Sequence, residues 1–349
     1  MAARYDKTLG CLLAAAIGDA MGAPLETRTV ELIRRDFGGG DFVYDYKTPR
    51  PDSVAAGMPY AGVTDDFSVA YVSARHFLKN GGRIDRKTAI DALIDWKNGP
   101  DTKIFYEKYA GPTTRKNMAK LEGQPRDPSR DYLYCDNHSA TNGAGMKAWI
   151  AGLFHPEDAA RAVDDAIIMC HPSHNNAIAL AAGTAVAAGV AAAFATDATV
   201  DSVLKAGFWG AWTGYERSLP ITRPTAGASL VRRMELAVSI GRRFQDDFSG
   251  CITEMTDLVG TGLNANESAA AAFGYFVAAQ GDIMKTIYLC INSGNDCDTT
   301  AIMAAAMAGA LGGANKIEHL DYHLATLEQA NSFIDFKGTA AAIAGLQEF

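Results

Sequence analysis

Several features that mark secreted, disulfide-stabilised or nucleic-acid-binding proteins are missing from this 349-residue sequence. The first residues, MAARYDKTLG, contain no basic segment leading into an apolar run and a cleavage site, which predicts that no secretory signal is present. The six cysteines show no CxxC spacing and indicate reduced thiols rather than a disulfide framework. The formal net charge of −8 argues against nucleic acid or an anionic membrane as the main partner. These absences together predict a cytoplasmic protein.

Long apolar runs are also scarce, and only one of them invites comparison with a membrane span. Ala177–Phe194 (AIALAAGTAVAAGVAAAF) carries no charge and has the minimum length that crosses a bilayer. Most of its residues are alanine or glycine, which contribute little transfer free energy but allow neighbouring helices to approach closely. We therefore expect this segment to be a buried central helix, and we expect no membrane partner.

Strand-like alternation is nearly absent, whereas apolar residues recur at helical spacing along most of the chain. No Ser/Gly-rich or Pro-rich linker interrupts the pattern, so the sequence predicts a single all-α domain over residues 1–349. The predicted helices are Leu9–Met21, Ser68–Leu78, Arg86–Trp96, Thr141–Leu153, Glu157–Met169, Asn175–Phe194, Val200–Trp212, Ala226–Phe244, Glu267–Ala279, Ile283–Ile291, Thr299–Leu311 and Leu320–Ile334.

Two long segments, Gly38–Gly62 and Asn98–His138, are rich in Gly, Pro, Asp and Tyr and are predicted to be irregular. Loops of this length in a compact domain are usually functional or mobile. Trp209, Trp212 and Tyr215 recur at helical spacing, and we expect all three to face the core.

Acidic residues cluster twice, each time between a glycine and an apolar helix. The first acidic cluster comprises Thr64, Asp65 and Asp66, and the second comprises Asp296, Asp298 and Thr299. At a turn leading into a helix, two carboxylates and a threonine hydroxyl can face one point. Oxygen-only ligands of this kind suit hard cations such as Mg²⁺ or Mn²⁺, and two such clusters could hold a pair of ions. The alternative is that the aspartates simply cap the helices, which aspartate does well.

A third segment, GCLLAAAIGDAMGAPLE (Gly10–Glu26), begins as a small-residue helix and breaks before Glu26. Read alone, Asp19 is a polar group near a helix end and Glu26 is solvated surface. Together with TDD, NGAGMK, SHNNAIALAAG and SGNDCDTTAIMAAAMAGALGG, however, the segment resembles the ordered blocks of the ADP-ribosylglycohydrolase family, which includes the glycohydrolase that reactivates dinitrogenase reductase. The five blocks follow the family's order and extend to about Gly313, nearly the whole chain.

The resemblance implies a compact, multi-helix orthogonal bundle that carries two Mg²⁺ or Mn²⁺ ions at one end of a cleft. The implied metal ligands are Thr64, Asp65, Asp66, Asp296, Asp298 and Thr299. Glu26 matches a glutamate that lies beside the metal site in relatives. The implied substrate-binding residues are Asn142, Gly143 and Ala144, from a loop along the phosphate and ribose region, with His174, Gly294 and Asn295.

Three positions depart from the family pattern. Phe67 stands where relatives usually have a small polar residue, Asn295 replaces a glycine, and Lys147 replaces a common arginine. None of these changes removes an implied metal ligand. Phe67 and Asn295 are expected to reshape the pocket wall and thereby to affect which substrate is accepted.

The implied reaction is hydrolysis of the bond at the anomeric carbon of a ribose, through an oxocarbenium-like transition state. Metal ions would fix the ribose hydroxyls and lower the pKa of the attacking water, which we favour over a covalent enzyme intermediate. A nearby carboxylate would take the proton of that water, and the candidate catalytic residues are Glu26, Asp65 and Asp296. The expected partner is an ADP-ribosylated protein or a small ribosyl compound.

Other functions remain open from the sequence. A nucleoside or another N-riboside is the alternative substrate, since the two long loops could cover a smaller pocket. A non-catalytic protein on the same fold, like the lens crystallins related to this family, is a second alternative. Cys170, His171 and His174 lie close enough to suggest zinc, but no second Cys/His cluster has suitable spacing.

Overall fold

The computed structural model describes residues 2–124 and 134–346, and its regular structure is helical. The first helices in chain order are α1 (Ala2–Gly22), α2 (Val30–Asp36), α3 (Asp65–Lys79), α4 (Arg86–Asn98), α5 (Lys103–Tyr109), α6 (Pro112–Leu121), α7 (Gly145–Phe154), α8 (Ala159–Cys170) and α9 (Ala177–Ala193). They are followed by α10 (Val200–Ser218), α11 (Leu230–Arg243), α12 (Phe248–Leu258), α13 (Ala265–Ala278), α14 (Ile283–Ile291), α15 (Cys297–Gly312), α16 (Leu320–Ala330) and α17 (Phe336–Leu346). Neither described range contains a strand, and two isolated bridges, Thr141–Asn264 and Asn176–Arg223, are the β-type pairings there. The all-α prediction is confirmed, while the assignment of residues 1–349 to one domain stays a prediction.

The uncharged run that resembled a membrane span forms α9, which occupies the centre of the molecule. All of its residues except Ala192 are buried, and it packs against α7, α8, α10 and α15. The small side chains of α9 allow this packing because they let the four neighbouring helices approach it closely. Within the described residues, none of the helices combines the length and the apolar character that a bilayer crossing requires.

Helices α1 and α15 lie against each other along much of their length, and glycines permit the contact. A Cβ atom added at Gly10 would lie 2.6 Å from the carbonyl oxygen of Gly309, and one added at Gly22 would lie 2.5 Å from Cα of Asp298. Both distances are shorter than real contacts, so the two backbones can pack this closely only without these side chains. The packing brings the end of α1 to the beginning of α15, where the second acidic cluster lies.

Of the two segments predicted to be irregular, one is irregular in the structure and the other contains helices. The segment Gly38–Gly62 contains turns and bends without a helix, as predicted. The segment Asn98–His138 contains α5 and α6, so the prediction of an irregular stretch is wrong there, while residues 125–133 lie outside the described ranges. The α6 sequence PTTRKNMAKL has few apolar residues, which explains why periodicity did not reveal it.

The prediction that Trp209 and Trp212 face the core is also wrong. Both are exposed, Trp212 to 62% of its surface. Glycines form part of the buried face of α10, where Gly210 and Gly214 meet Thr184 of α9 at distances that exclude a Cβ atom. Helix α10 therefore turns both tryptophans outward and its glycines inward, while Tyr215 is partly buried against the core, in line with its prediction.

Candidate active site

A cavity of about 310 Å³ lies where both acidic clusters approach the turn that follows α1. Its wall includes Glu26 from that turn and residues of the α5–α6 connection. The loop before α7 and the residues just before α13 complete the wall. The cavity thus collects side chains from segments that are widely separated in sequence.

The first acidic cluster forms the amino-terminal end of α3. Thr64 caps the helix, since its hydroxyl oxygen accepts a hydrogen bond from the Asp66 amide at 3.1 Å. The same hydroxyl donates to the buried carboxylate of Asp19 at 2.8 Å, and that carboxylate also accepts the amides of Thr64 and Phe67 at 2.9 and 3.1 Å. Asp19 therefore fixes the start of α3 against α1 and aims Asp65 and Asp66 at the cavity.

The second acidic cluster forms the amino-terminal end of α15 in a different way. Asp296 occupies the N-cap position, but its side chain makes no capping hydrogen bond. Its carboxylate instead accepts a hydrogen bond of 2.7 Å from the side-chain amide of Asn142. Asp298 and Thr299 follow in the first turn and line the cavity. Helix capping thus accounts for Thr64 but leaves the carboxylate of Asp296 available for another role.

A backbone clamp brings Glu26 beside this second cluster. The amide of Thr27 donates to the carbonyl of Asn295 at 2.6 Å, and the amide of Asn295 donates to the carbonyl of Arg28 at 2.8 Å. Gly294 has φ of 71° at this crossing, where a Cβ atom would lie 2.2 Å from the Arg28 carbonyl oxygen. Glycine is required at this position because both the backbone conformation and the close approach exclude a side chain.

The clamp makes Glu26, Asp296 and Asp298 converge. Each of the three carboxylates offers an oxygen atom, and these atoms all lie within 4.8 Å of one another. Burial and the charge of Asp296 raise the pKa of Glu26 to about 9, while burial and the charge of Glu26 raise the pKa of Asp298 well above its usual value. Like charges this close favour protonation unless a cation neutralises them.

Asp65 and Asp66 belong to the same electrostatic group. Burial and the neighbouring charge of Asp19 raise the pKa of Asp65 to about 7, and burial and the charge of Asp65 raise the pKa of Asp66 well above its usual range. The Oδ2 atom of Asp66 is buried and has no hydrogen-bond partner. Buried polar atoms normally have a hydrogen-bond partner, so a buried carboxylate oxygen without a donor is a candidate ligand for a cation. The donor set, carboxylates with one threonine hydroxyl, fits a hard divalent cation.

A buried basic group, Lys147, is linked through Ser173 to His174, which lines the cavity. Lys147 donates a hydrogen bond of 2.5 Å to the Ser173 hydroxyl, which lies 3.0 Å from Nδ1 of His174. Burial and the Lys147 charge hold the pKa of His174 well below its usual range, so the imidazole at the cavity is neutral. A Cβ atom on Gly143 would meet Nε2 of His174 at 2.4 Å, which explains the glycine in this loop.

Comparisons with known proteins agree with this architecture. The family model described as ADP-ribosylglycohydrolase matches residues 1–344. The chain belongs to this family. It is 30% identical over 351 aligned positions to the uncharacterized protein YegU of Escherichia coli (strain K12), covering 98% of this chain and 97% of YegU. A solved structure titled ADP-ribosylglycohydrolase-related protein complex superposes with a TM-score of 0.66 at 22% identity, covering 99% of both chains, which shows the shared fold.

In this member of the ADP-ribosylglycohydrolase family, most of the site residues predicted from sequence line one cavity. They are Glu26, Asp65, Asp66, Asn142, Gly143, His174, Asp296, Asp298 and Thr299. Thr64, Ala144, Gly294 and Asn295 are not among the lining residues. Thr64 holds Asp19, and Gly294 and Asn295 form the backbone clamp, so these three shape the site from behind its wall.

The expectation that Phe67 reshapes the pocket wall is wrong. Phe67 is fully buried in the core, where its ring stacks on Tyr71 and Trp149 at centroid distances of 6.0 and 5.9 Å. Asn295 is exposed at the turn and contributes its backbone rather than a wall. The side chains of Phe67 and Asn295 are therefore not among the residues that line the cavity.

Sequence reasoning missed two residues of the site. Read alone, the sequence indicates for Asp19 only a polar group near a helix end. Its position within a small-residue helix, one turn from Gly22, is however compatible with burial. Tyr109 lines the cavity from the end of α5, a helix that periodicity did not predict. The zinc alternative gains no support. Among the described residues, the group of side chains that could hold a metal ion is Glu26, Asp296 and Asp298, which contains neither cysteine nor histidine.

Proposed function

We propose that the protein is a Mg²⁺- or Mn²⁺-dependent glycohydrolase that hydrolyses the anomeric bond of an ADP-ribosyl group on a protein side chain or a small molecule. Membership of the ADP-ribosylglycohydrolase family supports the class of reaction. The observation that carries the proposal is the convergence of Glu26, Asp296 and Asp298 with the first acidic cluster on one cavity.

Two divalent cations would be held by side chains of both acidic clusters, with Glu26 as an additional candidate ligand. The proposed ligands are Asp65, Asp66, Asp296, Asp298 and Thr299, which line the cavity. Thr64, which the family resemblance also implied as a ligand, would support them from behind through its hydrogen bonds to Asp19 and Asp66. When bound, the cations would supply positive charge that orients ribose hydroxyls and favours deprotonation of a water.

The protein's own side chains would perform the remaining tasks. Glu26 is our candidate for the general base, with Asp65 and Asp296 as alternatives, because its carboxylate lies at the cavity beside Asp296 and Asp298. Asn142 would keep the Asp296 carboxylate in place through their 2.7 Å hydrogen bond. The neutral imidazole of His174 and the backbone of Gly143, which line the cavity, would contact the substrate.

A second candidate is an N-ribosyl or nucleoside hydrolase on the same fold. The cavity volume of about 310 Å³ favours it, because this value is near the lower end for ligand cavities, roughly 300–1,000 Å³. A compact riboside would fill such a cavity more completely than ADP-ribose.

One assay separates the two candidates. The purified protein is incubated with Mg²⁺ or Mn²⁺ and either ADP-ribosyl-arginine or a panel of ribonucleosides, and products are separated by chromatography. Release of ADP-ribose, abolished by a chelator, is the expected result. Release of free base from nucleosides with no turnover of ADP-ribosyl-arginine would favour the second candidate, and inertness toward both sets would contradict both.

A further inference from the structure

Tyr109 lines the cavity and carries a hydroxyl group for which the described part of the chain supplies no hydrogen-bond partner. It is the last residue of α5 and lines the cavity beside the α5–α6 connection. Its hydroxyl oxygen is buried, yet it has no hydrogen-bond partner among the described residues. Burying a hydroxyl without a partner costs free energy, so such a group in a folded protein requires a physical explanation.

The surroundings of Tyr109 keep its hydroxyl protonated. Burial raises the pKa of Tyr109 above its usual value, and the carboxylates of Asp19 and Asp298 raise it further. The group is therefore a neutral hydrogen-bond donor at any physiological pH. The carboxylates act on it through space, but none of them accepts a hydrogen bond from it. Its donor capacity remains for a molecule that enters the cavity.

We propose that the Tyr109 hydroxyl donates a hydrogen bond to an oxygen atom of the ribosyl substrate and thereby positions the substrate in the cavity. This inference rests on the proposed function, since a ribosyl group brings several hydroxyl and ether oxygens to the carboxylate side of the cavity. The substrate oxygen would supply the hydrogen-bond partner that the described residues do not supply. Tyr109 is thus a substrate-contacting residue whose hydroxyl serves binding and not folding.

The test uses two variants that each remove one hydroxyl from the same helix. Tyr109→Phe keeps the ring at the cavity and deletes only the proposed donor. Tyr106→Phe is the matched control, because Tyr106 lies one turn earlier in α5, packs its ring against Trp96 and does not line the cavity. Binding of ADP-ribose and of adenosine is measured by calorimetry in the presence of Mg²⁺, and melting temperatures are measured without ligand.

The expected result is that Tyr109→Phe weakens binding of whichever compound the wild type binds by about tenfold, while Tyr106→Phe leaves it unchanged. The ligand-free Tyr109→Phe protein should melt at the wild-type temperature or above it, because the hydroxyl makes no hydrogen bond to the described residues. Steady-state kinetics should show a raised KM with little change in kcat, as expected for a contact made throughout the reaction.

Three results would overturn the inference. Unchanged affinity in Tyr109→Phe, with an active wild type, would refute the contact and leave the proposed function intact. A ligand-free Tyr109→Phe protein that melts several degrees lower would show that the hydroxyl has a structural partner. A wild type that neither binds nor hydrolyses any ribosyl compound would refute the proposed function and this inference together.

Discussion

Two influences act in opposite directions on the carboxylate of Asp296. Burial raises its pKa, and the hydrogen bond from Asn142 lowers it. The side chain therefore stays in a fixed orientation while its negative charge remains costly, a combination that suits a cation ligand and would serve a structural residue poorly.

Replacing this carboxylate tests the role of single residues. We expect Asp296→Asn to lower hydrolysis by about 100-fold or more, because it removes a proposed ligand, and Asp65→Asn to act similarly. Both variants should remain folded in circular dichroism and melt no lower than wild type without cations, since each relieves repulsion among buried carboxylates. The control is Asp257→Asn at an exposed position of α12, which should change neither property. Normal turnover by both cavity variants would refute the metal-site account.

Between elements, the contact of α1 with α15 sets the position of the site. A Cβ atom at Gly309 would lie 2.2 Å from the carbonyl oxygen of Gly10. Gly309→Ala should therefore push the helices apart, lowering the free energy of unfolding by about 2 kcal/mol and weakening cation binding at the distant acidic clusters. Denaturant titration measures the first effect and calorimetry the second.

Gly345→Ala provides the matched control for this prediction. Gly345 lies in α17 with nothing within 4 Å of the position where a Cβ would stand. The substitution should leave stability unchanged or raise it by about 0.5 kcal/mol, because alanine is the better helix former. If Gly309→Ala proves as stable as Gly345→Ala, the close approach of the two helices does not limit stability.

A buried histidine of α16, His323, contacts the irregular segment Gly38–Gly62. The hydroxyl oxygen of Tyr46 in this segment lies 3.1 Å from Nδ1 of His323. Burial lowers the pKa of His323 to about 4. The unfolded chain binds the proton near pH 6.5, so between pH 6.5 and 4 it holds more protons than the folded protein. Stability from this group is therefore complete above pH 6.5 and is lost as the pH falls through 4.

His323→Gln should remove this acid sensitivity. The difference in free energy of unfolding between wild type and variant is expected to shrink as the pH falls from 7 to 4. Tyr46→Phe keeps the buried imidazole, so it should lower stability yet retain the wild-type pH dependence. A wild-type-to-variant difference that stays constant over this range would show that His323 does not titrate as described.

For the molecule as a whole, the acidic cavity links stability to pH and to cations. Glu26 and Asp65 have pKa values raised to about 9 and about 7, so the folded protein holds protons there that the unfolded chain has already released. Without cations, their contribution to stability is complete below about pH 4 and is lost as the pH rises toward 9. A divalent cation competes with these protons and binds more tightly as the pH rises.

The melting temperature should reveal this linkage. Saturating Mg²⁺ is expected to raise it more at pH 8.5 than at pH 6, by about 2 °C for each tenfold gain in affinity. Glu26→Gln should reduce the difference between the two pH values. An equal effect of Mg²⁺ at both pH values would indicate binding away from the carboxylates.

The fold could be predicted wherever apolar periodicity was strong, and the exceptions have physical causes. Alanine and glycine in α9 indicated a crowded centre correctly. In α10 the spacing of Gly207, Gly210 and Gly214 marks the buried face. The large aromatic side chains of Trp209 and Trp212 suggested instead that their own face is buried, although both are exposed. Small residues mark a helix interface as strongly as large ones when another helix backbone must come close.

Much of the site was predictable because its residues occur in short, ordered sequence blocks. The blocks identified both acidic clusters, and the family resemblance placed Glu26 beside them, but the backbone clamp through Asn295 that holds Glu26 there is a tertiary contact that no block reveals. Tyr109 was missed for a related reason, since only the fold carries the end of α5 to the cavity. Contacts between distant segments leave no local signal in the sequence.

The central claim is that the two acidic clusters form one site for divalent cations, and direct cation binding tests it. Calorimetric titration of Mg²⁺ or Mn²⁺ into chelator-treated protein should show uptake of about two ions per chain. Asp66→Asn and Asp296→Asn should each weaken that uptake severely, although they lie in different clusters. Absence of uptake by the wild type, or full affinity in both variants, would contradict the account.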